Sequence, residues 1–155
     1  VRLGVPLEGK VLIVHHVFRP DDTFQTLDVG SLLPLHASAL GKILLAFGAT
    51  PLEPLMDPEP ESYTRHTLVS RQQLNRALSE IREAGWAAAV QEMMIGEADI
   101  AAPVRGQGGL VVGAVGISGA VDRLCDSRGR PQAPLVGLTR DAARAISRDL
   151  GAARW

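Results

Sequence analysis

The sequence predicts an antiparallel α+β domain, and three observations carry that prediction. Stretches of alternating hydrophobicity occur as neighbours separated by turn residues, which is the pattern of hairpins. Segments of helical period stand between and after them, so the order is strands, helices, strands, helix. A chain of 155 residues, 46% hydrophobic and 21% charged, suffices for one core and little more. Strands joined by hairpin-like links rather than by alternating helical crossovers give an antiparallel sheet, with helices on one side or at its ends.

In order along the chain, VRLGVPL (1–7) alternates Val1, Leu3, Val5 and Leu7 on one face. Glu8-Gly9 reads as a turn, and KVLIVHHVF (10–18) as a second, more buried strand. RPDDT (19–23) has loop chemistry, and FQTLDVG (24–30) reads as a third strand. LPLHASALGKILLAF (33–47) then places Leu40, Ile43, Leu44 and Phe47 on one helical face, with Gly48 at the stop. PLEPLMDPEPE (51–61), with its four prolines, reads as a short helical turn plus exposed loop. The next helix is marked by a capping box at Ser70 and Gln73, a stripe of Leu74, Leu78 and Ile81, and a closing Gly85. WAAAVQEMM (86–94), DIAAPVR (99–105) and LVVGAVGIS (110–118) read as strands, the last two joined by GQGG (106–109). CDSRGRPQAP (125–134) reads as a mobile loop. A final helix from about Leu135 to Leu150 turns Leu138, Ala142 and Ile146 inward.

Sixteen basic residues against seventeen acidic ones give a net charge of −1, and no Lys/Arg block stands out. The chain lacks the electrostatic footprint of a nucleic-acid binder. A single cysteine, Cys125, excludes an intrachain disulfide. With no long apolar run and no leader pattern, a soluble, cytoplasmic domain is expected. The chain starts at Val1, without methionine and inside strand pattern, so a fragment of a longer protein is expected.

Gly41-Lys42 resembles the end of a phosphate loop but lacks two defining features. His36 stands where the early glycine belongs, and Ile43 where the magnesium-binding hydroxyl belongs. A helix N-terminus nevertheless leaves N–H groups that attract oxygens. Ala37, Ser38 and Ala39 are small enough to let a ligand reach them; alternatively Ser38 caps the helix and the alanines pack on the sheet. In the hairpin, alternation puts Asp99, Ala101 and Pro103 on one face, and Val112, Ala114, Gly116 and Ser118 on one face of the partner. A four-residue loop sets Asp99 opposite Gly116, either near an open sheet end in water or lining a cavity. His15 and His16 point to opposite faces, and no Cys/His set has metal-ligand spacing, so neither metal nor cofactor is expected. No serine or cysteine falls in a nucleophile elbow.

Three stretches together resemble the effector-binding domain of IclR-type transcriptional regulators: GSLLPLHASALGKILLAF (30–47), YTRHTLVSRQQLNRALSEIREAGW (63–86) and EMMIGEADIAAPVRGQGGLVVGAVGISGAVDRL (92–124). They span most of the chain in the family's order. The resemblance implies a GAF-like or profilin-like sheet of about six antiparallel strands flanked by helices, covering residues 1–155. It implies a winged helix-turn-helix domain before it, through which alone DNA would be bound, and a homodimer or homotetramer. It also implies a pocket for a small organic effector, with the amides of Ala39 and Leu40 reaching the ligand's oxygens. The pocket's polar positions fall on Ala89, Asp99, Gly116 and Ser118.

Where relatives that bind small keto-acids carry an acid, this chain has Ala89; Asp99 replaces a small thiol or hydroxyl, and Gly116 a serine. The effector expected from this pattern offers a hydroxyl or amine to Asp99 and a carboxylate or carbonyl oxygen to the helix mouth. Trp86, Met93 and Met94 would line a roomier body. The expected function is effector sensing without catalysis. Two alternatives stand beside it: a small acid–base enzyme using Asp99 or His36, and a ligand-free oligomerisation module.

Overall fold

The computed structural model describes residues 1–20, 28–48, 51, 54 and 58–153. Its elements are β1 (Arg2–Leu7), β2 (Lys10–His16), β3 (Leu32–Pro34), α1 (Ala39–Phe47), α2 (Arg71–Ala84), β4 (Ala87–Val90), β5 (Glu97–Arg105), β6 (Val111–Ala120), α3 (Val121–Leu124) and α4 (Ala133–Asp149). The strands form one six-stranded sheet in the order β3-β2-β1-β6-β5-β4, every neighbouring pair antiparallel. This is the α+β architecture the sequence predicts. Among the described residues no helix is long and apolar enough to cross a membrane.

The helices cover both faces rather than one. On one face α1 packs with Leu78 and Ile81 of α2 over Val11, Ile13, Ala87, Ala89, Ala101 and Ala114. On the other, Ala98, Ile100, Ala102, Val104 and Val115 meet Leu124, Cys125, Val136 and Ala143 from α3, α4 and the segment between them. The reason lies in β5, where residues 98, 100, 101, 102, 103 and 104 are all buried. A strand covered on both sides reads as an apolar run, not as an alternation.

Contact distance is set by small side chains. Ala37 and Ala39 are completely buried, and α1 is buried from Ala39 through Ala46. Gly41 permits the closest approach: a Cβ there would lie 2.4 Å from both Cα and O of Leu35. Its role is packing, since α1 keeps ordinary helical geometry around it. Gly48, at φ −84°, ends α1, and a Cβ there would lie 2.4 Å from Leu44 O. α2 is bounded as its sequence predicts, with a reciprocal Ser70/Gln73 capping box and Gly85 at φ +76°.

Several boundaries differ from expectation. The third strand is residues 32–34 rather than 24–30, of which 24–27 lie outside the described residues. Residues 52, 53 and 55–57 of the stretch 51–61 lie outside them too. β4 stops at Val90 because Gln91 turns to φ +58°. In α4 the buried residues are Val136, Thr139, Ala143 and Ser147; of the three expected inward, Ile146 packs half-buried against the cluster that contains Ala143, while Ala142 is exposed and Leu138 is 66% exposed. Thr139 and Ser147 are admitted because their hydroxyls donate to the helix's own carbonyls, Leu135 O and Ala143 O. The stretch 125–134 is a closed loop: Asp126 accepts from the N–H groups of Arg128 and Arg130 and from the Arg130 guanidinium.

Gly41→Ala is expected to lower stability by about 1–3 kcal/mol, the usual cost of overpacking. Urea denaturation measures it, and an unchanged midpoint would contradict the close seating of α1.

Candidate functional site

The site is assembled where the N-terminus of α1 meets the middle of the sheet. Ser38 adopts extended backbone (φ −118°, ψ 147°) and caps the helix: its hydroxyl accepts from Gly41 N–H at 3.1 Å and donates to Pro34 O at 2.7 Å. Ala39 N–H donates to Asp99 Oδ2 at 2.6 Å. Leu40 N–H meets no acceptor among the described residues. The helix mouth and the acid of β5, sixty residues apart, therefore touch.

The hairpin register differs from the count across a four-residue loop. Arg105 pairs with Val111 rather than Leu110, and a bulge between Val104 and Arg105 adds a second residue, so Asp99 pairs with Ser118 and Ala101 with Gly116. The difference is two residues, so the faces are those expected while the direct partner changes. On its other side Asp99 pairs with Ala89. Ala89, Asp99 and Ser118 thus form one rung across β4, β5 and β6. The next rung runs from Ala101 through Gly116 and Arg2 to His16.

Burial dominates the electrostatics of Asp99. Loss of solvent around the half-buried carboxylate raises its pKa from 3.8 to about 7; the Ala39 N–H, Lys42 and Arg2 oppose that rise, and Glu92 adds to it. Near neutral pH the group therefore serves either as acceptor or as donor.

Beside Ser118 a cavity of about 340 Å³ opens, lined also by Arg2, His16, Arg19, Asp28 and Glu97. Arg2 Nη2 lies 2.6 Å from Asp28 Oδ2, and Asp28 N–H donates to His16 Nδ1 at 3.3 Å. Burial, with help from Arg2 and the N-terminus, lowers the His16 pKa against the pull of Asp28.

Lys42 has a structural role instead of a phosphate-binding one. It is 3% exposed, and its Nζ donates to Glu92 Oε2 at 2.5 Å and to Ala88 O at 3.1 Å, tying α1 to β4 and the bend after it. Burial raises the Glu92 pKa, with Lys42 acting against it. Thr67 Oγ1 donates to Glu92 O, and Thr64 Oγ1 to Gln91 O, so residues 64–67 hold that bend from outside.

The other sequence-derived candidates separate. Trp86 packs with Ile100, Leu124 and Val136 on the opposite face of the sheet, away from Asp99, because Ala87 holds the α1-facing position. Met93 is half-buried in the bend and Met94 is exposed. His36 Nε2 lies 2.7 Å from Glu61 O, its Nδ1 is buried without a partner among the described residues, and burial lowers its pKa. Arg2, His16 and Asp28 are missing from the candidates drawn from sequence. The parity of β1 is their one signal: Arg2 faces opposite Leu3, which packs toward α4.

Residues 1–148 match the family described as bacterial transcriptional regulator IclR, C-terminal. The chain belongs to the IclR family. Along all 155 residues it is 45% identical to the glycerol operon regulatory protein of Streptomyces coelicolor, of which it spans 61%. The C-terminal domain of the Escherichia coli regulator KdgR superposes with a TM-score of 0.77 at 28% identity, covering 97% of this chain and 86% of that one. An IclR homologue from Microbacterium hydrocarbonoxydans, in complex with 4-hydroxybenzoate, superposes with a TM-score of 0.81 at 28% identity, over 97% of this chain and 60% of that one. The IclR domain described here thus shares its fold with regulators, one of which was captured with a small organic acid.

Two outcomes follow from this geometry. The unfolded chain releases the Asp99 proton near pH ~4 and the folded one near pH 7, so the folded state binds more protons between them. Stability contributed by this group is therefore present at low pH and lost as pH rises from about 4 to about 7. Urea midpoints across that range should show a fall that is absent in Asp99→Asn; parallel profiles would contradict the assignment. Lys42→Met, which strands a buried carboxylate, is expected to cost about 3–5 kcal/mol. Adding Glu92→Gln should recover much of the loss, and additive losses in a double-mutant cycle would exclude the pairing.

Proposed function

We propose that this chain is the effector-sensing domain of a transcriptional regulator, and that its effector is a small hydroxylated molecule held beside Asp99. The observation that carries the reading is the contact between Ala39 N–H and Asp99 Oδ2. The protein's own carboxylate takes the first oxygen-binding amide of the helix mouth, so a ligand carboxylate there would meet like charge. A hydroxyl suits the place better, because it donates to ionised Asp99 and accepts from Ser118 or Leu40 N–H. Family membership and the name of the Streptomyces relative, a glycerol operon regulator, support a ligand of polyol character. Arg2, on the adjacent rung, gives a phosphate or carboxylate substituent a second point of attachment.

In this proposal Ala39, Leu40, Ala89, Asp99, Gly116 and Ser118 form the ligand site, with Met93 at its border. Arg2 and His16 are added, and Trp86 is left out. Binding would change the balance between arrangements of a homodimer or homotetramer, and with it DNA binding by a winged helix-turn-helix domain outside this chain. No reaction is proposed. The acid–base alternative draws on the near-neutral pKa of Asp99, and recovery of ligand intact after prolonged incubation would exclude it.

Calorimetric titration with glycerol, glycerol 3-phosphate and glycerate tests the reading. At least one should bind saturably and raise the melting temperature. Asp99→Ala should weaken that binding by about tenfold or more, corresponding to one lost charge-assisted hydrogen bond. Silence toward the whole panel, or equal affinity in the variant, would overturn the polyol assignment.

A further inference from the structure

A second cavity lies at the other end of α1, and its lining is of a different kind. It measures about 280 Å³, and four arginines face it: Arg82 from α2, Arg105 from the end of β5, and Arg140 and Arg144 one turn apart on α4. Phe47 and Ala143 supply apolar wall, and no acidic residue among those described lines it. In a chain of net charge −1 this is a marked local excess of positive charge.

The protein's own acceptors only partly account for it. Arg82 Nε donates to Ala46 O at 2.8 Å, and Arg105 Nη1 to Gly109 O at 2.8 Å while its guanidinium lies over the Phe47 ring at 5.6 Å. Arg144 Nη1 reaches Asp141 Oδ1 at a long 3.4 Å. Arg140 makes no side-chain hydrogen bond among the described residues, and its Nη2 lies 3.9 Å from where a Cβ on Gly85 would be. The C-termini of α1 and α2 end at this cavity and attract cations. Each helix end is equivalent to about half a charge, so the two offset roughly one of the four guanidiniums. A guanidinium also presents more N–H donors than a single carbonyl satisfies.

We infer that this cleft binds a compact, multivalent oxyanion of the phosphate class, carried on a small molecule. Forked guanidiniums match phosphate oxygens in pairs. A concave site of this volume fits one phosphate or diphosphate group with a small body against Phe47 and Ala143. A nucleic-acid backbone calls instead for an extended basic stripe. The site stands apart from the effector floor: the nine residues of α1 separate them by about 13 Å.

Pyrophosphate is the probe. Titrated into the 155-residue chain at constant ionic strength, it should bind saturably. Arg140→Gln and Arg144→Gln should each weaken binding at least ~tenfold, and Arg140→Lys, which keeps charge but loses the fork, should fall between. Arg128→Gln, which removes an exposed charge from the 125–134 loop, should leave affinity unchanged. Melting temperatures without ligand identify any variant that fails to fold, in which case Arg140→Lys alone decides. Unsaturable binding, equal affinity in both glutamine variants, an equal loss in Arg128→Gln, or citrate binding as tightly as pyrophosphate would each overturn the inference.

Discussion

The close seating of α1 on the sheet governs the rest of this structure. Gly41 lets the first turn press against the backbone of Leu35, and Ala87, Ala89, Ala101 and Ala114 keep the sheet beneath it low. Larger residues at these places would lift the helix, because cores are packed too densely to absorb added volume. From that one distance follow the contact of Ala39 N–H with Asp99, the burial of Lys42 and its pairing with Glu92, and the reach of Arg82 to Ala46 O. The layer is thin because it is made of alanine and glycine, and the polar groups at its margins meet because it is thin.

The same geometry explains why a carboxylate is tolerated in an otherwise apolar surface. Desolvation pushes Asp99 toward the neutral form, while a helix N-terminus, which favours negative charge, pulls the other way. The outcome is a group poised near neutrality whose charge depends on what approaches it. In this chain the protein's own carboxylate supplies the oxygen that meets the first amide of the helix mouth.

How much of this is legible in the sequence depends on the range of the interaction. α2 is legible end to end because Ser70, Gln73 and Gly85 act locally. The hairpin of β5 and β6 is legible as a pair, with correct faces, but its register is not: the bulge at Val104/Arg105 leaves no mark in the alternation. α4 is legible as a helix with the wrong phase, since Thr139 and Ser147 bury hydroxyls satisfied within the helix itself. Asp99 and the α1 mouth are each recognisable as candidates, and their meeting is suggested only by resemblance to a family. Arg2, His16 and Asp28 are illegible because β1 must first find both β2 and β6 before they share a floor.

The rung of Ala89, Asp99 and Ser118 has a consequence for how such domains diversify. Cross-strand neighbours lie about 5 Å apart on a common backbone frame. A carboxylate exchanged between the positions of Ala89 and Asp99 shifts the charge sideways by one strand while strand pairing and helix seating stay as they are. Two side-chain replacements thus relocate a charge across the sheet, with the scaffold acting as a fixed grid on which it is repositioned.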